Sequence, residues 1–419
     1  MGKYFSDAVD NALEAIYYTY DREKAAACIQ PLADAANAGD GDASYILSRC
    51  VSGPQYSWDY HPFQADDDTA GQLVRKSITQ GSAMGVLGAM RCGELSPEME
   101  EEALRHFSSL QEAWNAVYEK AQAGSPFCQN MIGNTYFWLD IPRIEGKGLD
   151  DFSSRTAFGD WLRETELKCI PWFERAFESG MGFSGRNLYN LLRNGDEDFG
   201  IGPQPEKALA VAKLGAEKGY PDWQERYAGI LKERDGWTRE VFDLYSAAAN
   251  QGQLSSWFYV GYAYELGKAV DKDCREAMKC YELGLQDPGE VGCANRLGRL
   301  YFLGKDGIPQ DYPRAVQLLE QARATGKNTW GCDMLGICCL FGYGCQKDPA
   351  RALRLFQETD HSSDLLNYGL GTIYTEGLGV PQDIKKGVEY LQKAAKGYAP
   401  AQEALLGFKK TLFGRWVRR

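Results

Sequence analysis

The chain has 419 residues, of which 44% are hydrophobic and 12% aromatic, and its formal net charge at pH 7 is −12. This apolar content excludes a disordered chain, and the acidic balance argues against a general nucleic-acid binder, which needs a basic face to neutralise phosphates. No apolar run is long enough to predict a membrane span, and the charged segment Met1–Asp10 does not resemble a signal peptide. We therefore expect a cytoplasmic protein whose twelve cysteines are reduced.

Residues 1–180 predict divergent helix pairs that follow a weak repeat. Faint copies of this repeat begin near Leu47, Leu87 and Ile132, each within an apolar stretch. Two insertions interrupt the rhythm: residues 54–68 form an aromatic and acidic loop, and residues 139–168 begin as a polar loop and continue as an extra helix near Trp161. Such excursions either carry function or are tolerated decoration of a rigid scaffold, and the sequence leaves both interpretations open.

A clear repeat organises residues 181–404. After copies at Leu188 and Ala228, pairs of an aliphatic residue and glycine begin further copies at residues 260, 297, 335, 370 and 406, so the period is 35 to 38 residues. A period in the mid-thirties is typical of helix–turn–helix solenoids. The sequence therefore predicts an all-α fold, a right-handed α/α superhelix of roughly nine or ten repeats.

The recurring residue types have separate mechanical roles within each copy. The glycine after the aliphatic residue allows two helices to approach closely, and the later glycines supply positive φ where the first helix ends. A recurring aspartate is placed to cap the second helix, and Pro349 directly follows one such aspartate, at a position where proline is tolerated. The predicted capping residues are Asp273, Asp311, Asp348 and Asp383.

The C-terminal segment, residues 405–419, mixes aromatic and basic side chains. One interpretation is a capping helix with a basic tail, which covers the apolar end of the array while keeping it soluble. The other is a surface for an acidic partner or a membrane, since the segment is basic within an acidic protein. We predict the capping helix.

The pattern A-x-x-x-L-G-x-x-Y-x-x-G-x-G-V-x-x-D-x-x-x-A-x-x-Y-x-x-A-A-x-x-G, clearest from Leu188 to Gly407, resembles the Sel1-like repeat. This repeat is a relative of the tetratricopeptide repeat. The resemblance implies an α/α superhelix that acts as an adaptor for protein–protein contacts, and it points to a bacterial source. It implies no reaction and does not identify the partner.

One branch of that family is secreted and has a disulfide in each repeat. The resemblance implies that each bridge would join a cysteine of the second helix to the cysteine of a Gly-Cys pair eight residues later. Cys293 and Cys332 could supply the second member, but Leu285 and Ala324 stand at the first. This departure from the branch favours a reduced protein and puts its penicillin-binding activity in doubt.

If the geometry follows the tetratricopeptide relative, the first helices line a concave groove that binds a protein or peptide. Aromatic side chains beside arginine and amides are typical of such interfaces. Phe137 and Phe258 are equally well explained by helix–helix packing. The predicted groove residues are Asn130, Asn134, Phe137, Phe258, Tyr262, Asn295, Arg299, Tyr368 and Thr372. A secondary partner surface is predicted at Trp58, Tyr60, Lys409, Lys410, Arg415 and Trp416.

Catalytic patterns are weak throughout the sequence. The three histidines, His61, His106 and His361, fall in distant repeats, whereas a nucleophile and its base must meet. A cysteine cluster could place some thiols on one helical face, but no C-x-x-C is present, so buried packing is the favoured role. Its members are Cys332, Cys338, Cys339 and Cys345.

We therefore predict no catalytic residue, no cofactor and no metal, and a non-enzymatic adaptor as the function. One alternative is an immunity or antitoxin-like protein whose acidic face masks one basic toxin. The other is a hydrolase or redox enzyme with an unrecognised site near Cys332 or His61. An adaptor should bind several clients, an immunity protein a single tight partner, and a metalloenzyme stoichiometric zinc.

Overall fold

Helices account for most of the regular structure in the computed structural model of this chain. The structure describes residues 3–19, 21–52, 65–197, 200–287, 290–324, 330–359, 361–412 and 414–419. The predicted surface residues Trp58 and Tyr60, together with His61, lie outside these ranges. The chain divides into two compact units, Met1–Tyr227 and Ala228–Arg419, called the N-terminal and C-terminal units below.

The N-terminal unit is a run of packed helices. Its elements are α1 (Asp7–Leu13), a π-helical turn (Glu14–Tyr18), α2 (Arg22–Asn37), α3 (Gly41–Val51), α4 (Asp67–Thr79), α5 (Ala83–Arg91), α6 (Pro97–Ala103), α7 (Leu110–Gln122), α8 (Pro126–Phe137), α9 (Ile141–Glu145), a 3-10 turn (Leu149–Asp151), α10 (Arg155–Leu167), α11 (Cys169–Glu178), α12 (Ser184–Asn194), α13 (Pro205–Glu217) and α14 (Pro221–Asp235). The boundary between the units falls inside α14. Helix α3 packs on α4, α8 on α11, and α12 on α13. The extra helix predicted near Trp161 is confirmed as α10.

The C-terminal unit consists of more regular helix pairs. Its elements are α15 (Arg239–Asn250), α16 (Ser256–Leu266), α17 (Cys274–Gly284), α18 (Val291–Leu303), α19 (Tyr312–Ala324), α20 (Cys332–Phe341), α21 (Pro349–Glu358), α22 (Asp364–Glu376), α23 (Ile384–Ala394), α24 (Ala399–Leu405), β1 (Phe408–Lys410) and β2 (Trp416–Arg418). Each first helix, α16, α18, α20 and α22, packs on the helix that follows it. This is the all-α repeat architecture that the sequence predicts.

The predicted helix ends are confirmed. The carboxylates of Asp273, Asp311, Asp348 and Asp383 each accept a hydrogen bond from a backbone N–H in the first turn of the second helix. Pro349 is the first residue of α21. Each first helix ends at a glycine with positive φ, and these glycines are Gly267, Gly304, Gly342 and Gly377. Capping and chain reversal are therefore encoded locally in each repeat.

The glycine after each aliphatic residue lies where two helices touch, as predicted. A Cβ atom at Gly261 would lie 2.6 Å from the ring of Tyr281, and one at Gly371 would lie 2.7 Å from Leu391. Both distances are shorter than van der Waals contact, so a larger residue would push the paired helices apart. The repeat therefore needs glycine at this position to bring its two helices together.

The capping helix predicted for residues 405–419 is wrong beyond Leu405, where α24 ends. Strands β1 and β2 form an antiparallel hairpin in which Phe408 pairs with Arg418. Gly414, with φ of 77°, lies in the turn and favours reversal over helix continuation. Phe408 is buried against Val388, Leu391, Ala394 and Ala401, so a hairpin rather than a helix covers this end of the unit. Within the described ranges, no helix is both long and apolar enough to cross a membrane.

Candidate functional site

A row of aromatic rings and one arginine runs across three successive repeats of the C-terminal unit. Trp237 precedes α15, Tyr262 lies on α16, Arg296 on α18, and Trp330 just before α20. The rings of Trp237 and Tyr262 stack with centroids 5.9 Å apart and planes inclined by 22°. The guanidinium carbon of Arg296 lies 4.6 Å from the centroid of Tyr262 and 5.2 Å from that of Trp330. We call these four residues the aromatic–arginine row.

A buried carboxylate holds the arginine side of this row. Glu265 on α16 is 3% exposed, and its Oε1 lies 3.4 Å from Arg296 Nη1 and 3.0 Å from Arg299 Nη1. The hydroxyl of Tyr281 donates to Glu265 Oε2 at 2.8 Å. Burial and the adjacent carboxylate raise the pKa of Tyr281, which therefore remains a hydrogen-bond donor. Two guanidinium groups against one carboxylate leave this part of the unit with a net positive charge.

This arrangement has the chemistry of a protein-contact surface. Trp330 is 49% exposed although its indole packs near a guanidinium, so a large apolar face is oriented and still accessible. Tryptophan, tyrosine and arginine carry most of the binding energy in protein interfaces, and a cation–π contact restrains their motion before binding. The row can therefore receive an apolar side chain of a partner beside a group that carries negative charge.

The structure brings together some of the predicted groove residues and separates others. Tyr262 is part of the row, and Arg299 is linked to it through Glu265. Phe258 packs between Tyr262 and Tyr281, with ring centroids 6.1 and 6.4 Å away. Asn295 is buried at 4% exposure, and its Oδ1 has no hydrogen-bond partner in the described chain. Phe258 and Asn295 thus lie behind the exposed surface.

Tyr368 and Thr372 on α22 belong to a different cluster. The ring of Tyr368 stacks on Phe341 at 5.7 Å and meets the edge of Tyr398 at 5.2 Å. The hydroxyl of Thr372 donates to the backbone oxygen of Tyr368 at 3.0 Å, within the same helix. Tyr368 and Thr372 thus make packing and backbone contacts around their own repeat and do not join the aromatic–arginine row.

Sequence reasoning missed three residues of the row. Arg296 directly precedes the repeat leucine, one position away from the residues chosen, and its side chain reaches Tyr262 of the preceding repeat. Trp237 stands in the loop between the two helices of the Ala228 copy and Trp330 in the connection before α20, and helical spacing gives no register at either place. Each tryptophan stands two residues before a helix begins, and this was the available signal for both.

In the N-terminal unit, the predicted residues Asn130 and Asn134 line a cavity of about 380 Å³. They lie one helical turn apart on α8, and the other walls come from α3, α5 and α12. Phe137 packs instead against Trp138 and Phe173, with centroids 4.9 and 5.9 Å away. The amides therefore share a concave site, whereas Phe137 is a packing residue.

The cysteine cluster consists of buried or half-buried thiols on α20 and the following loop. Burial raises the pKa of both Cys338 and Cys339 to about 12, so these groups are neutral thiols at pH 7. The sulfurs of Cys339 and Cys345 lie 4.0 Å apart. Among the described residues, no group of three or more histidine, cysteine or acidic side chains is placed to hold a metal.

The basic residues of the predicted secondary surface lie on the C-terminal hairpin. Lys409, Lys410 and Arg415 are exposed, and Trp416 is half-buried under the ammonium group of Lys410 at 5.3 Å. Arg418 forms an ion pair with Glu376 on α22. The exposed side chains of the hairpin are thus mainly basic, and Arg418 links the hairpin to α22 through its ion pair.

Comparisons with known proteins locate the repeat in the C-terminal unit. A family model described as Sel1 repeat matches residues 258–286, 292–324, 331–358 and 366–397. DAP3-binding cell death enhancer 1 of Rattus norvegicus is 30% identical over 189 residues, which cover 45% of this chain and 36% of the relative. The Mus musculus protein of the same name is 29% identical over 205 residues, with the same two shares. The chain thus spans little more than a third of the length of these curated relatives.

Two solved structures align along most of the chain at low identity. One is a protective antigen present in uropathogenic Escherichia coli strains and displaying an SLR fold. Its sequence identity to this chain is 18% and the TM-score is 0.44, and the alignment covers 90% of this chain and 89% of that chain. The other is a Sel1 repeat protein from Oxalobacter formigenes. Its sequence identity is 20% and the TM-score is 0.39, and the alignment covers 97% of this chain and 96% of that chain.

The four segments that the family model matches coincide with the helix pairs α16–α17, α18–α19, α20–α21 and α22–α23. These four segments are therefore Sel1 repeats, as the resemblance in the sequence predicts.

Proposed function

We propose that this chain is a non-enzymatic adaptor that holds a protein or peptide partner on the first helices of its repeats. Sel1-repeat proteins mediate protein–protein interaction, and the repeat is typically a scaffold rather than a catalyst. The observation that supports the proposal most directly is the aromatic–arginine row. We further propose that the partner is not a nucleic acid and that the chain acts in the cytoplasm.

The row favours a partner segment that is apolar at its centre and acidic beside it. The rings of Trp237, Tyr262 and Trp330 provide apolar surface. The two positive charges of Arg296 and Arg299 exceed the single negative charge of Glu265 by one. A partner carboxylate near Arg296 would balance this charge, and an aliphatic or aromatic side chain would cover Trp330. Tyr262 and Arg299 remain proposed binding residues, with Arg296 and Trp330 added to them.

The names of the curated relatives suggest one partner to test. They are called DAP3-binding, and the segment that they share with this chain is a little over a third of their length. A DAP3-related protein of the source organism is therefore a reasonable first candidate, alongside partners recovered without bias. Recovery of several clients would fit an adaptor, whereas a single stoichiometric complex would favour the immunity-like alternative.

We predict that Trp330→Ala weakens partner binding at least about tenfold, because the indole face is accessible and at the end of the row. Partners captured on the wild-type chain would be identified, and their affinities then measured with purified proteins by calorimetry. Trp330 is about half exposed, so its removal costs little folding free energy compared with removal of Arg299, which pairs with Glu265.

The matched control is Leu283→Ala, since Leu283 is 38% exposed but lies on the second helix α17. We expect this variant to bind like the wild type. Equal affinities of the wild type and Trp330→Ala for every captured partner would contradict the placement of the site. Partners recovered equally by unrelated helical repeat proteins would contradict the adaptor function itself.

A further inference from the structure

The cavity of the N-terminal unit is enclosed by four helices that each open a repeat. Helices α3, α5, α8 and α12 each contribute side chains to its walls. The lining residues include Tyr45 and Arg49 on α3, Gly88 and Arg91 on α5, Asn130 and Asn134 on α8, Asn187 on α12, and Phe183 directly before α12. Its volume of about 380 Å³ lies in the range of sites that bind small ligands or a short stretch of peptide. The cavity lies wholly in this unit and is separate from the aromatic–arginine row.

Two amides, buried Asn130 and half-buried Asn134, present unused donors to this cavity. Asn130 is 3% exposed, and its Oδ1 accepts a hydrogen bond from the Ser184 hydroxyl at 3.0 Å. The Oδ1 atom of Asn134 accepts one from Asn187 Nδ2 at 2.9 Å. With both oxygens held by α12, the Nδ2 groups of Asn130 and Asn134 donate no hydrogen bond in the described chain. Both Nδ2 atoms are open to the cavity rather than fully buried, so each can donate a hydrogen bond to a ligand that supplies an acceptor.

Two guanidinium groups stand in the same walls, each held in a fixed orientation. Arg49 Nε donates to the hydroxyl of Tyr17 at 3.0 Å, and its guanidinium carbon lies 5.5 Å from the centroid of Phe127. Arg91 stacks on Trp138, with its guanidinium carbon 3.9 Å from a ring centroid. Rings restrain both side chains, so little conformational entropy is lost when an anion binds.

The charge balance selects a singly charged ligand. Among the described lining residues, Asp140 is the one acidic group, and burial raises its pKa to about 6. Two guanidiniums against one carboxylate leave a single positive charge. Asp67 and Glu94 line a neighbouring cavity that also contacts Arg49, and their charges oppose a phosphate dianion more strongly than a singly charged carboxylate. A carboxylate carries the matching single charge and only accepts hydrogen bonds.

We propose that this cavity binds a carboxylate carried by a peptide, with Arg49 and Arg91 facing the charge and the Nδ2 groups of Asn130 and Asn134 donating to its oxygens or to adjacent peptide carbonyls. Leu87, Phe127 and Met131 give the cavity apolar walls for the neighbouring aliphatic part of the peptide. The carboxylate is either a peptide C-terminus or an acidic side chain. This site adds to the proposed function, and each can fail without the other.

Three N-acetylated tripeptides distinguish the two carboxylate sources. The first, of alanine, glutamine and leucine, has a free C-terminal carboxylate. The second has glutamate in place of glutamine and an amidated C-terminus. The third contains glutamine, is amidated and carries no charge. Calorimetric titration of the full chain should show binding of the first, the second or both, at least about tenfold tighter than binding of the third.

An isosteric variant tests the site itself. Asn134→Asp keeps the oxygen that accepts from Asn187 but replaces the cavity-facing donor by a negative charge, and we expect at least about tenfold weaker binding of the carboxylate peptides. Asn115→Asp adds the same charge at an exposed position on α7 outside the cavity, and should bind like the wild type. Thermal unfolding confirms that both variants are folded.

A second readout locates the peptide. Cys92 lines the cavity and is exposed, so a bound peptide should slow its reaction with a neutral maleimide. Equal binding of all three tripeptides, no binding by any of them, or unchanged affinity in Asn134→Asp would each overturn the proposal. Binding by the wild type with no protection of Cys92 would place the carboxylate elsewhere and overturn it equally.

Discussion

Glu166 on α10 is a buried carboxyl whose ionisation opposes folding. It is 2% exposed, and its Oε2 has no hydrogen-bond partner among the described residues. Burial, and to a lesser extent the charge of Asp196 and a hydrogen bond with it, raise the pKa of Glu166 from 4.5 to about 7. The folded state therefore binds this proton more tightly than the unfolded state. Its contribution to stability is complete below about pH 4.5, declines as the pH rises, and is lost above about pH 7.

We predict that Glu166→Gln raises the free energy of unfolding by about 1–2 kcal/mol at pH 8, because glutamine fills the same space without a charge. At pH 5 the folded wild type holds the proton, so the variant and the wild type should unfold at similar temperatures. Circular dichroism melts at the two pH values measure the difference. Glu164→Gln, at an exposed position of α10, should change neither melt, and an equal gain at both pH values would contradict the titration argument.

At the level of single residues, sequence reasoning succeeded where the repeat provides a register. Asn130 and Asn134 were chosen by counting from Ile132, and both line the same cavity. Arg49 stands two residues after Leu47, as Asn134 does after Ile132, so the same counting indicates it, whereas Arg91 stands four residues after Leu87 and falls outside that register. The unused Nδ2 donors depend on hydrogen bonds from α12, more than fifty residues away in the chain, and no local pattern encodes such a contact.

Two glycines of the N-terminal unit differ in how closely the side chains of another helix approach them. A Cβ atom at Gly133 on α8 would lie 2.6 Å from the ring of Phe173 on α11, whereas one at Gly159 on α10 would meet nothing within 4 Å. Gly133→Ala should therefore force α8 and α11 apart, and Gly159→Ala should only improve helix propensity. The two glycines lie in the same unit, which makes them a matched pair.

We predict that Gly133→Ala lowers the free energy of unfolding by about 1–3 kcal/mol and that Gly159→Ala raises it by up to about 1 kcal/mol. Urea denaturation followed by tryptophan fluorescence and circular dichroism would measure both changes. A stabilising Gly133→Ala would show that α8 and α11 have room to spare and would refute the close-approach role of the repeat glycine.

At the level of elements, the caps and reversals were predictable because a few residues within each repeat determine them. Asp383 caps the start of α23, and Gly377 ends α22 in a left-handed conformation. Both effects involve only the adjacent backbone. The C-terminal hairpin was not predictable in this way. Phe408 and Leu412 are one helical turn apart, which favours a helix, but contacts of Phe408 with α23 and α24 override this spacing. Tertiary packing therefore decides the conformation where the repeat pattern ends.

At the scale of the whole molecule, the two units offer different binding chemistry on the same type of helix pair. The C-terminal unit has exposed rings beside arginines, and the N-terminal unit has enclosed amides beside arginines. The fold was predictable from periodicity because each repeat buries its surface against its neighbours. The sites were predictable only in part, because their side chains come from several repeats and from the connections between them.

An array of repeats also needs a covered end, and here the hairpin provides it. Phe408 is 7% exposed and packs on the last helices, whereas Leu412 at the hairpin turn is fully exposed. Phe408→Ala should lower the stability of the last repeat by about 2–3 kcal/mol, less than a fully buried phenylalanine costs. Since repeats contact only their neighbours, amide hydrogen exchange should rise most in α23 and α24 and less in each earlier pair. Leu412→Ala should leave exchange unchanged, and a uniform rise in the unit after Phe408→Ala would mean that it unfolds as one cooperative block.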